Sequence, residues 1–191
     1  TVMGNVYHTK EEMIDCVNAF YEGMVQRSEE MKRHPNYKTG ENYAYLGLPP
    51  CFLIFDEYVA FFEMLGTKES VGLLSQLKKI VMLGRQAGYF LIVACQRPDA
   101  KYFSDGIRDN FNFRVGLGRI SELGYGMLFG SDVKKQFFQK RIKGRGYCDV
   151  GTSVISEFYT PLVPKGHDFL QTIGRLAQER QVMPEQQGKE N

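Results

Sequence analysis

The sequence predicts an α/β fold built on a mostly parallel sheet with helices on both faces. The strand-like segments are almost continuously apolar, and they alternate along the chain with segments of helical periodicity. A strand buried on both faces needs apolar residues at successive positions, and parallel strands need a crossover between them. Residues 144–161 add two strand-like runs around a short turn, which predicts an antiparallel hairpin at the end of the fold.

The composition is that of a globular domain. The chain has 191 residues, 43% of them apolar, which suffices for one domain with a sizeable core. No apolar run approaches the roughly 18–20 residues of a membrane span, and a formal net charge of +2 does not by itself imply a polyanionic partner. The four cysteines form no C-x-x-C and the three histidines are far apart, so reduced, buried thiols are favoured over a zinc site.

A capping box predicts the start of the first helix. Thr9 and Glu12 give the pattern T-x-x-E, apolar residues follow at helical spacing, and charges continue through Arg33 until Pro35 ends the helix. The polar segment 36–50, which carries several Tyr and Gly residues, is predicted to be a loop.

Two further helices are predicted by periodicity, one over residues 68–86 and one over about 167–180. In the first of these, the residues expected to face the core are Val71, Leu74, Leu77 and Val81. We assign residues 1–181 to one domain, and the polar residues 182–191 are predicted to be a disordered tail.

Three buried strands are predicted over residues 51–55, 88–98 and 112–118. The first two of these apolar runs lead directly into polar residues. In an open α/β sheet, ligands bind outside the carboxyl ends of the strands. The residues that follow these two strands are therefore the first candidates for a functional site.

An acid pair, Asp56 and Glu57, follows the first strand in the stretch CFLIFDEY. A carboxylate at this position suits Mg²⁺, which proteins bind through one or two carboxylates together with substrate phosphates. A second carboxylate beside it can activate a water for attack on a phosphoryl group. Asp56 is thus predicted to hold Mg²⁺ through water, and Glu57 to orient the attacking water. The alternative is that the acids merely favour the start of the next helix.

Gln96 follows the second strand and adds an amide to the same predicted edge. Its side chain could hydrogen-bond the attacking water or a bound γ-phosphate. The alternative is a turn residue that satisfies a backbone amide. Two polar strand ends favour a shared site more than either does alone.

Three motifs of the chain occur together in a known family. They are the acid pair in FLIFDEYVAFFEML, the Q-R-P that follows AGYFLIVAC, and the segment IRDNFNFR. With GRGYCDVG near the end, they resemble the motor domain of the FtsK/SpoIIIE DNA translocases. More specifically, they resemble the FtsK-like coupling ATPases of conjugative elements. The resemblance covers about residues 5–165.

This resemblance implies a RecA-like P-loop NTPase core that uses ATP and Mg²⁺ and works as a hexameric ring. It makes Asp56 and Gln96 nucleotide-binding residues, and Asp56 and Glu57 the Walker B acids. In such rings a neighbouring subunit contributes an arginine, which here would be Arg114 or Arg119. The alternative is that each arginine pairs with a local carboxylate such as Glu122 or Asp109.

The phosphate-binding loop of that family, G-x-x-x-x-G-K-[ST], has no match in these 191 residues. Its backbone amides and lysine normally hold the phosphates. The resemblance places this loop and the first strand of the sheet before Thr1, so we expect the chain to be the C-terminal portion of a motor domain. Without the loop, the chain alone is expected neither to bind ATP tightly nor to hydrolyse it.

A basic segment at residues 134–145, KKQFFQKRIKGR, is the candidate DNA contact. Its proposed DNA-binding residues are Lys134, Lys135, Lys140, Arg141 and Lys143. The alternative is a solvated helix face with the phenylalanines packed inward. The family's two DNA-contacting loops would map to residues 121–126 and to the hairpin tip at 150–153, which here carries no Lys or Arg.

The function that follows from the resemblance is ATP-driven translocation of double-stranded DNA, in conjugative transfer or chromosome segregation. Conjugation proteins are possible further partners. The domain would face the cytoplasm of a protein tethered to the membrane by another region. Two alternatives stay open: a ring ATPase of a protein secretion system, and a scaffold with a degenerate, non-catalytic ATPase fold.

Overall fold

The computed structural model describes residues 5–98, 101–103, 105–131, 133, 137, 142–152 and 154–182. Its helices are α1 (Lys10–Arg33), α2 (Tyr58–Glu63), α3 (Thr67–Ala87), α4 (Asp105–Arg108), α5 (Glu122–Phe129) and α6 (Phe169–Val182). Its strands are β1 (Cys51–Phe55), β2 (Tyr89–Val93), β3 (Arg114–Leu117), β4 (Arg145–Asp149) and β5 (Ile155–Tyr159). The chain divides into a unit Thr9–Thr160 and a second unit made of its two ends.

Helix α1 begins at the predicted capping box. The Glu12 amide donates to the Thr9 hydroxyl at 3.3 Å, and the Thr9 amide donates to the Glu12 carboxylate at 3.1 Å. The helix ends at Arg33, two residues before Pro35, as the sequence predicts. The loop that follows contains one short 3-10 turn, Tyr43–Leu46.

The sheet that carries the candidate site is parallel and has two strands. Strands β1 and β2 pair in register, with Phe55 opposite Val93, and the chain crosses between them through α2 and α3. Leu53 and Phe55 are buried in a core that also includes residues of α1, α2 and α3. Phe52 and Ile54 point to the other face and are 55% and 69% exposed. The prediction of helices on both faces is thus wrong for the described residues.

Helix α3 is one residue longer at each end than predicted, and it is rotated from the expected orientation. Its buried residues are Leu73, Leu77, Ile80, Gly84 and Ala87. Val71, expected to face the core, is 64% exposed. The core face includes Gly84, where α3 lies close to β2. A side chain at this position would collide with the Tyr89 carbonyl oxygen, so the close approach requires glycine.

The third predicted strand does not join the parallel sheet. Strand β3 pairs antiparallel with β4, with Arg114 opposite Asp149, and β4 pairs antiparallel with β5. The prediction of one mostly parallel sheet with a terminal hairpin is therefore corrected to two sheets in the part of the chain that the structure describes. The antiparallel pairing places the opposite charges of Arg114 and Asp149 next to each other. Strand β2 would offer Arg114 no such partner, because it carries no charged residue. The α/β class itself is confirmed.

The unit formed by the chain ends contains α6, which begins two residues later than predicted. The Gln171 amide donates to the Asp168 carboxylate at 3.0 Å and stabilises the start of this helix. The helix includes Val182, and the rest of the predicted tail lies outside the described residues. Among the described helices, none is long and apolar enough to cross a membrane.

Candidate functional site

The two polar strand ends meet at one edge of the parallel sheet. Asp56 and Glu57 follow β1 and Gln96 follows β2, and all three are exposed. The Gln96 side-chain amide donates to Oε1 of Glu57 at 3.0 Å. The predicted proximity of the acid pair and the amide is confirmed, because both strands run the same way and end level with each other.

Backbone hydrogen bonds fix the bend that presents the acids. The Ala94 amide donates to the Phe55 carbonyl at 2.8 Å, and the Tyr58 amide donates to the Ala94 carbonyl at 3.0 Å. Asp56 and Glu57 therefore protrude from the edge, because Phe55 and Tyr58 on either side of them are both hydrogen-bonded to Ala94. The protrusion is set by the main chain and not by the acids themselves.

Glu57 has a left-handed backbone conformation, with φ 52° and ψ 49°. It is the one non-glycine residue with positive φ among those the structure describes. Such a conformation costs about 1–2 kcal/mol in an L-residue, and backbone strain of this kind is concentrated at functional sites. Glu57 precedes α2, but its side chain makes no capping hydrogen bond. Glu57 thus occupies the N-cap position of α2 without a capping bond, and the alternative that the acids favour the start of this helix stays open.

An aromatic cluster supports the acid pair from beneath. Tyr58 is 1% exposed, and its ring packs against Phe55, Phe62 and Phe103. Its hydroxyl donates to the Tyr102 carbonyl at 3.4 Å, and burial raises the pKa of this hydroxyl, so it stays a neutral donor. Tyr58 thus joins the end of β1 to the segment that follows Gln96. Sequence reasoning missed this residue, although the aromatic residue directly after the acids was visible.

Cys95 lies beside the acid pair and is half-buried. Burial raises the pKa of its thiol, and the negative charge of Glu57 raises it further. The thiol is therefore protonated at neutral pH and is a poor nucleophile. This result leaves the carboxylates and the amide as the chemically active groups of the edge.

The edge fits the metal and water half of a nucleotide site. It offers two carboxylates and an amide oxygen, which are the hard ligands that Mg²⁺ prefers. Within the described residues, no cluster of three or more His, Cys, Asp or Glu could hold a metal alone. Asp56 could instead hold Mg²⁺ through water beside substrate phosphates. The phosphates themselves need donors that these residues do not provide.

Arg114, predicted to act on a neighbouring site, is held in its own sheet. Its Nη2 lies 2.6 Å from Oδ2 of Asp149, and the two side chains are 17% and 3% exposed. Glu122 and Asp109 were the expected alternative partners, but Asp109 is paired with Arg108 at 3.1 Å. Arg114 has a structural role in the sheet, and its catalytic role stays a prediction.

Arg119, the second candidate, is exposed on a well-anchored turn after β3. The Gly118 amide donates to the Arg145 carbonyl at 2.8 Å, and the Tyr125 hydroxyl donates to the Gly118 carbonyl at 3.3 Å. Gly118 has φ 72°, which a glycine adopts without strain. The backbone that carries Arg119 is therefore held in place, and its side chain is exposed.

The basic segment is only partly within the described residues. Lys134, Lys135, Lys140 and Arg141 lie outside them, and Lys143 is exposed. Phe137 stacks on Tyr125 with ring centroids 3.9 Å apart, so the expected inward packing is confirmed for this phenylalanine. Arg145, at the end of the segment, is 7% exposed and its Nη2 donates to Glu157 at 2.7 Å, so it is part of the fold.

Comparisons with known proteins identify a relative that matches most of this chain in sequence. No protein-family model matches it. The FtsK domain-containing protein YdcQ of Bacillus subtilis (strain 168) is 57% identical over 168 residues. The match covers 88% of this chain and 35% of that protein, so the chain spans about a third of its relative.

Two solved structures share the fold. The cytoplasmic domain of the type VII secretion ATPase EccC of Thermomonospora curvata has a TM-score of 0.61 at 18% identity, over 90% of this chain and 21% of that one. The pCW3 conjugation coupling protein TcpA, in monomer form with ATPγS, has a TM-score of 0.67 at 18% identity, over 91% and 51%. At such identities the likeness concerns the fold alone. The chain is a homologue of an FtsK domain-containing protein, and the resemblance to the FtsK/SpoIIIE family that its motifs predict is confirmed.

Proposed function

We propose that this chain supplies the Walker B and sensor part of a RecA-like, ATP-driven motor domain. The observation that carries the proposal is the hydrogen bond between Gln96 and Glu57 at the carboxyl edge of two parallel strands. The left-handed backbone of Glu57 supports it, because backbone strain of this kind is concentrated at functional sites.

Each side chain of the edge has a distinct task in this proposal. Asp56 holds the hydrated Mg²⁺, which supplies positive charge to the phosphates when it is bound. Glu57 orients a water and accepts its proton. With Oε1 held by Gln96, the carboxylate has a fixed orientation, and its other oxygen can accept a hydrogen bond from that water. Gln96 also lies close enough to the water to sense its presence.

Ring assembly completes the site in this proposal. We assign the neighbour's contribution to Arg119 before Arg114, because Arg119 is exposed while Arg114 is committed to Asp149. A guanidinium on a rigid turn suits a phosphoryl group, since it is permanently charged and forked. A hexamer, and a membrane anchor in another region of the protein, are parts of the same proposal that rest on the family resemblance.

Double-stranded DNA is the proposed load. The relative's FtsK domain and the conjugation coupling protein among the structural neighbours support this choice. Protein transport is the second candidate, because the other neighbour is a secretion ATPase and the hairpin tip at 150–153 carries no Lys or Arg. Salt-dependent binding of double-stranded DNA by the full-length protein supports the first candidate. Its absence at low salt supports the second.

Substitution of the acid tests the catalytic proposal. Glu57→Gln in the full-length protein is expected to lower kcat for ATP hydrolysis by about 10²- to 10⁴-fold, the usual contribution of a general base. Glu63→Gln, an exposed acid at the end of α2, is the matched control and should leave kcat unchanged. Equal activity of the two variants would refute the role of Glu57.

The isolated chain provides a second test. Calorimetric titration of the 191 residues with Mg-ATP is expected to show no tight binding, because the chain carries no phosphate-binding loop. Micromolar binding would contradict the expectation. Detection of G-x-x-x-x-G-K-[ST] upstream in the gene would exclude the scaffold alternative.

A further inference from the structure

We propose that Asp149 is a positioning residue that couples the β4–β5 hairpin tip to β3, the strand that leads to Arg119. The inference rests on the proposed function, in which Arg119 faces a neighbouring nucleotide, and on the family resemblance, which maps a load-contacting loop to the hairpin tip. It adds the physical connection between those two surfaces.

Asp149 uses its two carboxylate oxygens on two different segments. Oδ2 accepts from Nη2 of Arg114 at 2.6 Å, and Oδ1 accepts from the Gly151 amide at 2.9 Å. Asp149 itself is 2% exposed, so its carboxylate is largely shielded from water at both bonds, which are partly buried. One buried carboxylate therefore bonds both the first residue of β3 and the tip of the neighbouring hairpin.

Gly151 of the tip also packs directly against Asn112, which precedes β3. Gly151 has φ 83°, and a Cβ at this position would lie 3.1 Å from the Asn112 carbonyl oxygen. A side chain on Gly151 would strain the backbone and push the tip away from Asn112. A movement of Gly151 therefore displaces the start of β3 or breaks the Gly151 bond to Asp149.

The far end of β3 is equally well fixed. The Gly118 amide donates to the Arg145 carbonyl, and Arg145 is itself paired with Glu157. The strand between these two anchor points, Arg114–Leu117, is about 10 Å long at the usual strand rise. A displacement of the tip therefore moves β3, which is short and bonded at both ends, and so also moves the turn that bears Arg119.

Hydrogen exchange on the 191-residue chain tests the connection. In the wild type, the Gly151 amide is expected to exchange about tenfold more slowly than the Thr152 amide, and Asp149→Ala should abolish the difference. Gly151→Ala should shift the Arg114 Nε–H and Arg119 amide resonances, whereas Thr152→Ala should not. Unchanged Gly151 exchange in Asp149→Ala, or unchanged arginine signals in Gly151→Ala, would overturn the proposal.

Asp149→Ala could fail to fold, so Arg114→Lys serves as the second variant. It keeps the charge that compensates Asp149 but replaces the forked guanidinium. The proposal predicts faster exchange of the Gly151 amide in this variant. In the bonds described above Arg114 and Gly151 each contact Asp149 and not each other, so the effect would pass through Asp149. No change at Gly151 in folded Arg114→Lys would overturn the coupling.

A functional measurement separates positioning from mere stability. In the full-length protein, Asp149→Asn is expected to lower the ratio of DNA-stimulated to basal ATP hydrolysis by about 2- to 30-fold, the size of typical couplings between sites. Glu63→Gln, which changes an exposed acid of α2 outside the antiparallel sheet, should preserve the ratio. An unchanged ratio in folded Asp149→Asn would overturn the proposal. If DNA does not stimulate hydrolysis even in the wild type, the proposed load is wrong, and the exchange experiment still decides the coupling.

Discussion

The two sheets of the unit Thr9–Thr160 use their charged residues in opposite ways. At the edge of the parallel sheet, Asp56 and Glu57 are exposed, and Glu57 accepts a hydrogen bond from the neutral amide of Gln96. In the antiparallel sheet, Asp149 is buried and its charge is matched by Arg114. The first arrangement leaves the carboxylates of Asp56 and Glu57 accessible to a ligand. The second uses the same chemistry to hold strands together.

This comparison shows that residue type alone does not identify a functional group. Arg114 and Arg119 lie five positions apart and resemble each other as catalytic candidates in the sequence. The partner and the exposure separate them, since Arg114 is partly buried and paired with Asp149, whereas Arg119 is exposed on a turn. The three predictions below test whether the two regions differ in this way.

The largest effect is expected from the buried ion pair. Arg114→Ala should lower the free energy of unfolding by about 3–5 kcal/mol, because it leaves the Asp149 carboxylate buried without a compensating charge. Arg175→Ala removes an exposed pair with Glu179, whose side chains are 67% and 56% exposed, and is expected to cost no more than about 0.5 kcal/mol. Urea unfolding measures both. Similar values for the two variants would mean that the Arg114–Asp149 pair stabilises the fold no more than an exposed ion pair does.

A smaller effect is expected beneath the acid pair. Tyr58→Phe should lower the free energy of unfolding by about 1 kcal/mol, since it removes the hydrogen bond to the buried Tyr102 carbonyl and keeps the ring. Tyr159→Phe is the control, because Tyr159 is 60% exposed. Thermal unfolding compares the two, and equal midpoints would mean that the Tyr58 hydroxyl does not hold the site together.

The smallest effect has the opposite sign. Glu57→Gly should raise the free energy of unfolding by about 0.5–1 kcal/mol, because glycine adopts the left-handed conformation without strain. Ala60→Gly, within α2, should lower it by about 1 kcal/mol, the usual cost of glycine in a helix. Destabilisation by both variants would show that Glu57 is not strained, and would weaken the case for a functional edge.

Local signals in the sequence predicted much of the parallel region. The capping box at Thr9 and Glu12 gave the start of α1, because both of its bonds join residues three apart. The meeting of Glu57 and Gln96 was predictable because parallel strands bring their carboxyl ends to the same edge. The strain at Glu57 was not predictable, since it follows from how Tyr58 bonds to Ala94.

The antiparallel region depends on pairings between distant residues, which periodicity does not reveal. Arg114 and Asp149 are 35 positions apart, and only the strand register brings them together. The predicted orientation of α3 was wrong at Val71 for a similar reason. Helical spacing identifies the apolar positions, but the close approach of Gly84 to β2 decides which of them face the core.

The central claim is that the acid pair and the amide form one site at the edge of the parallel sheet, and nuclear magnetic resonance of the Gln96 side-chain amide tests it most directly. In the 191-residue chain, the Gln96 side-chain amide signals should shift in Glu57→Ala, which removes the accepting carboxylate, and should shift far less in Asp56→Ala. Signals that stay in place in Glu57→Ala, or that shift equally in Asp56→Ala, would contradict the account.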